Sequence, residues 1–135
     1  MNMYGEEDIP PGIGPHEGKE LELMLAGEKP ATMFSDVIPP SYDLPEEDFT
    51  SHVESGRLVK RDVVITASKS GLYDMRYLLY ALPGEEWRID RLIEIHRDFH
   101  QHDKPISRKL EKEIGQLLGY CDQDIQTYID RLLTF

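Results

Sequence analysis

Residues 58–82 read LVKRDVVITASKSGLYDMRYLLYAL, and the fold turns on how this stretch is taken. Side chains alternate along a strand, so Val59, Val63, Ile65 and Ala67 share one side of an extended segment. Tyr73, Met75, Tyr77, Leu79 and Ala81 share one side of the next. Between the two runs lies Ser-Lys-Ser-Gly, residues 68–71, a loop of hairpin length with glycine where a positive φ is wanted. The reverse face carries Lys60 and Asp62 on one strand and Asp74 and Arg76 on the other. A partly wet face of this kind predicts an antiparallel sheet with one covered side. Tyr80 disturbs that pattern. It falls on the wetter side with Leu78 and Leu82, too apolar a set for open solvent, so either a helix or a partner should cover it. Tyr80 is therefore a candidate partner-contact residue.

Upstream, ATMFSDVI (31–38) is short and β-prone, and predicts a third strand. HEGKELELMLAGEKP precedes it, with Leu21, Met24 and Leu25 at helical spacing, Gly27 as a stop and Pro30 beyond. ELELML also alternates, but Glu, Leu, Met and Ala favour helix. DLPEEDFTSHVESG reads as a second short helix, with Pro45, Glu46 and Glu47 in its opening turn and Gly56 at its end.

Downstream, three helices close the chain. The first opens at PGEEWRID. The second runs from Ser107, a good N-cap, to Gly119, with Leu110, Ile114, Leu117 and Leu118 facing inward. The third follows Asp122, with an apolar stripe of Ile125, Tyr128, Ile129, Leu132 and Leu133. The expectation is a single α+β domain over residues 16–135. Its small antiparallel sheet joins the 58–82 hairpin to the 31–38 strand, with helices packed on one side and three at the C-terminal end. Residues 1–15, acidic and rich in Pro and Gly, read as a mobile tail. No internal repeat is present.

The charge is unevenly placed. Up to Gly56 there are 13 Asp and Glu against Lys19 and Lys29, which is the whole net charge of −11. From Arg57 onward, 13 acidic and 13 basic residues cancel. Phosphate backbones call for basic patches, so nucleic acid is not the expected partner. A basic protein surface is, with Glu46, Glu47 and Asp48 as the candidate contacts. The same acids would also serve solubility. No apolar run approaches the roughly 20 residues that cross a bilayer, so no membrane partner is expected. The N-terminal residues lack a basic start and an apolar core and do not read as a secretory signal. One cysteine, Cys121, leaves no internal disulfide and no cysteine zinc cluster, and a reducing cytoplasm is the expected setting.

HRDFHQH, residues 96–102, holds three of the five histidines. On a helix, His96 falls near the centre of a sector shared with Ile89, Leu92, Ile93 and Phe99, and His100 falls beside it. Two histidines at i, i+4 can chelate a transition metal from one helix face. A third ligand would have to come from elsewhere, such as His52, Cys121 or a carboxylate. Satisfied core or rim histidines near a helix end are the competing explanation. Glu85, Glu86 and Trp87 read as a helix start, with Trp87 in the core or at a packing edge, and His16 reads as exposed.

No complete catalytic constellation stands out. The favoured reading is a small acidic, non-enzymatic binding protein with no cofactor. It would be an inhibitor or antidote of a basic toxin or nuclease, or a regulatory subunit, with self-association left open. The alternative is a small metal-dependent or acid/base enzyme using His96 and His100.

Overall fold

The structure, a computed structural model, describes residues 16–38, 43–66 and 74–133. Its elements run α1 (Glu20–Leu25), β1 (Ala31–Ile38), α2 (Glu46–Glu54), β2 (Val59–Thr66), β3 (Asp74–Ala81), α3 (Glu86–Gln101), α4 (Arg108–Leu117) and α5 (Asp122–Leu133). The expected tail over 1–15, the Ser68–Gly71 turn and Tyr73 lie outside the described residues.

The three strands form one antiparallel sheet in the order β1-β3-β2. Ala31 opposes Ala81 on one edge and Val59 opposes Ala81 on the other, so β3 takes the centre. This is the expected α+β fold, with the third strand where ATMFSDVI placed it and three helices at the C-terminal end.

One feature of the expectation is corrected. Helices cover both faces of the sheet, not one. Tyr77, Leu78, Leu79, Tyr80 and Ala81 are all buried, and successive residues point to opposite faces. On one face Ile65, Tyr77, Leu79, Ala31 and Ala81 pack with Ile89, Leu92 and Ile95 of α3 and Leu117 of α4. On the other, Leu78 and Tyr80 pack with Met24 of α1, Phe49 of α2 and Leu58. Tyr80 is 1% exposed and its ring stacks on Phe49 at 4.2 Å. Of the two ways to cover that face, the chain uses its own α2, which takes Tyr80 away from any partner surface.

Polar contacts hold the layers in place. Ser107 caps α4 by accepting a hydrogen bond from the Leu110 amide at 3.2 Å. Arg91 on α3 makes a two-pronged pair with Glu113 on α4, at 2.6 and 3.1 Å. Arg88 donates to the carbonyl oxygens of Gln116 and Leu117 at the end of α4. Ile95 is buried because α3 is covered from two sides, by the sheet and by α4. Phe99, in the last turn and expected on the core side, is 44% exposed, and Trp87 is 55% exposed beneath the Arg88 guanidinium.

The last helix packs mainly on α4. Ile125 and Ile129 are buried, but Leu132 is 45% exposed. Gly115 permits the approach, since a Cβ there would lie 2.7 Å from Cγ1 of Ile125.

Leu79→Ala should therefore cost about 2–5 kcal/mol, as deletions at closed core sites do, whereas Leu132→Ala should stay within about 0.5 kcal/mol. Urea unfolding of both variants measures the contrast, and similar losses would contradict a core centred on β3.

Candidate functional site

The face of the molecule formed by α1 and α2 carries most of the described acids of the N-terminal half. Glu46, Glu47 and Asp48 occupy the first turn of α2, where the helix dipole favours negative charge. They do not act alike. Glu46 turns toward the sheet, where it pairs with Lys60 and with Arg76, the latter at 2.9 Å. Arg76 also grips Asp62 with two hydrogen bonds, at 3.0 and 2.7 Å. Hydrogen bonds from Lys60 and Arg76 hold the Glu46 carboxyl below the usual carboxylate range. Glu46 is thus committed to the fold, while Glu47 and Asp48 stay exposed.

Asp48 lines a cleft of about 600 Å³ together with Glu17 and Glu20 at the start of α1. The floor is apolar: Leu21, Phe34 and Phe49. Phe34 meets Phe49 edge-on at 5.7 Å, and Phe49 stacks on Tyr80, so the cleft shares its lining between an aromatic cluster and three carboxylates. The Tyr80 hydroxyl is pushed up to about 12, by burial first and by Glu46 second.

Beside this cleft sits a group the sequence did not single out. Lys29, between α1 and β1, is only 1% exposed. Its ammonium donates to the Leu118 carbonyl oxygen at 2.5 Å and to Nδ1 of His16 at 2.8 Å, and it lies 4.6 Å from the centre of the Tyr120 ring. An ammonium has no lone pair, so Nδ1 accepts and the His16 ring proton sits on Nε2. His16 stacks on Tyr120 at 4.1 Å, half-buried rather than exposed as expected. Burial lowers Lys29 to about 8, with Glu20 opposing. Burial, followed by Lys29, lowers His16 to about 4. Gly119 completes the corner: its φ is +84°, and a Cβ there would lie 2.5 Å from Cδ of Pro30. The sequence signal was a lysine next to Pro30 in an acidic stretch, which propensity cannot tell from a solvated one.

The histidine pair lies on the opposite face of the sheet. Nδ1 of His96 is 2.8 Å from the Leu92 carbonyl, so that nitrogen carries the proton and Nε2 keeps its lone pair. Nε2 of His100 is 2.7 Å from the Tyr77 hydroxyl. Burial lowers both imidazoles, with Leu92 opposing at His96. The sheet separates His52 on α2 from the pair, and Cys121 is exposed beyond α4. Among the described residues, no three His, Cys, Asp or Glu side chains come together in a metal-binding group. Likewise, no helix among them is long and apolar enough to cross a membrane.

Comparison with family models, curated proteins and solved structures finds no match to this chain.

The Lys29 corner has a definite pH signature. Between about 8 and the ordinary lysine value of 10.5, the unfolded chain holds a proton that the folded chain has released. Stability therefore rises with pH in that window, with a slope of up to about 1.4 kcal/mol per pH unit. Tyr80 and Tyr120, both raised to about 12, oppose it only above the ordinary tyrosine value of 10.0. Urea unfolding between pH 8 and 9.5 should show the rise in the native chain and a flat profile in Lys29→Met. A rise that persists in the variant would assign it to another group.

Proposed function

We propose that this chain is a small acidic, non-enzymatic binding protein whose α1–α2 face receives a basic segment of a protein partner. The observation that carries the reading is the cleft that Glu17, Glu20 and Asp48 line together with Phe34 and Phe49. A guanidinium or ammonium entering it gains charge-assisted hydrogen bonds from the rim and aromatic contact from the floor. Charge placement agrees, since the excess negative charge lies wholly in the first 56 residues. Such a field speeds encounter with a basic surface and suppresses wrong partners. An inhibitor or antidote of a basic toxin or nuclease, or a regulatory subunit, working in a reducing cytoplasm, fits this chemistry. Glu46 and Tyr80 support the face from within rather than touching the partner.

A second reading, acid/base or metal chemistry at His96 and His100, has one observation in its favour: Leu92 orients the His96 ring as it would a ligand or a base. Stoichiometric metal in protein purified without a histidine tag, lost in His96→Ala, would favour it.

The binding reading is checked by a nuclear magnetic resonance titration with a short arginine-rich peptide at physiological salt. Shifts should concentrate on Leu21, Phe34 and Phe49. Reversing Glu17, Glu47 and Asp48 to lysine should weaken binding by about tenfold, which corresponds to about 1.4 kcal/mol, and flatten its salt dependence. Glu20 is left in place because it supports Lys29. Reversing Glu94 and Asp130, in the charge-balanced half, should change binding far less. Equal effects from the two sets would reduce the acidic face to a solubilising surface.

A further inference from the structure

A second cavity lies between α4 and α5 and is lined by none of the residues that line the α1–α2 cleft. Gly115 and Ile125 bring the two helices close, and both line a cavity of about 270 Å³ that is open to solvent. Ile114, Leu118 and Ile125 make it apolar, and Tyr120 and Tyr128 wall it. A single acid, Glu111, enters.

Glu111 is the unusual member. It is half-buried, and among the described residues its carboxylate has neither a hydrogen bond nor an ion pair. The nearby cations of α4, Arg108, Lys109 and Lys112, line a separate groove with Gln126 and Ile129. Burial alone raises the Glu111 carboxyl above the usual carboxylate range, and Glu111 in turn joins burial in raising the Tyr128 phenol. A desolvated carboxylate without a cation is costly to keep, and the cost is recovered when one arrives.

We propose that the α4–α5 cavity binds a small primary amine carried on an apolar, ring-sized body, with Glu111 taking the ammonium. An anion would meet the carboxylate, and a neutral apolar ligand would leave it unpaired. The Tyr128 ring adds attraction for a cation, whereas the Tyr120 ring already meets Lys29 and His16. A water's share of liquid volume is about 30 Å³, so a cavity of 270 Å³ accommodates a ring with a short arm. The polymethylene stem of a protein's lysine is narrower and would leave the cavity part empty. This site is separate from the α1–α2 cleft and does not depend on the reading given to that face.

Calorimetric titration of the full chain with phenethylamine, 2-phenylethanol and N-acetyl-lysine methylamide decides the matter, with amide shifts at Gly115, Leu118 and Tyr128 locating the ligand. Phenethylamine should bind about tenfold tighter than the alcohol and about tenfold tighter to the native chain than to Glu111→Gln, the contribution of one charge-assisted hydrogen bond. Glu111→Gln removes a poorly solvated charge and should fold with an unchanged or higher Tm; should it not fold, the comparison of amine with alcohol decides alone. Equal binding of amine and alcohol, equal binding to Glu111→Gln, or no binding by any probe would overturn the proposal. Tightest binding of the lysine derivative would overturn it too and assign the cavity to a protein side chain.

Discussion

Five consecutive buried residues, Tyr77 to Ala81, set the terms for everything else in this molecule. A strand presents alternate side chains to opposite faces, so a run buried throughout demands cover on both. Burying a large apolar side chain contributes about 1.5–3 kcal/mol, and the run holds four such residues. One layer of helices could satisfy only half of them. The chain therefore places α3 and α4 on one face and α1 and α2 on the other, and β3 must take the centre of the sheet to receive both.

A second constraint follows from the way α4 ends. The last carbonyls of a helix have no partner within it. Here Arg88 from α3 takes those of Gln116 and Leu117, and Lys29 from the segment before β1 takes that of Leu118. Two layers are thereby joined at one helix terminus, where cations are also favoured by the dipole. Lys29 keeps its proton at neutral pH in a buried position because a carbonyl, an imidazole nitrogen and a tyrosine face surround it. His16 and Tyr120 are ordered around the same ammonium, which brings the start of α1 against the loop before α5.

These two constraints also sort the acids. Carboxylates close to the sheet are used internally, as Glu46 and Asp62 are by Arg76 and Lys60. Those on the outer rims of α1 and α2 face solvent over an aromatic floor. The first group stiffens the face and the second is left to carry its field outward.

Much of this was legible in the sequence. Alternation fixed the strands, and the cap at Ser107 and the stops at Gly27, Gly56 and Gly119 bounded the helices, because these signals act within one or two turns of chain. Net charge and its placement needed no structure at all. The fate of individual side chains did. Tyr80 could be covered by a helix or by a partner, and only the docking of α2 settled it. Glu46, Glu47 and Asp48 are neighbours in one helical turn, yet Arg76, thirty residues from Glu46 in sequence, decides which is spoken for. Lys29 and Leu118 are 89 residues apart, and their hydrogen bond turns a lysine that composition counts as surface charge into a buried one. Periodicity and capping are local, whereas burial and pairing of charge depend on which distant segment arrives, and that is decided only when the layers close.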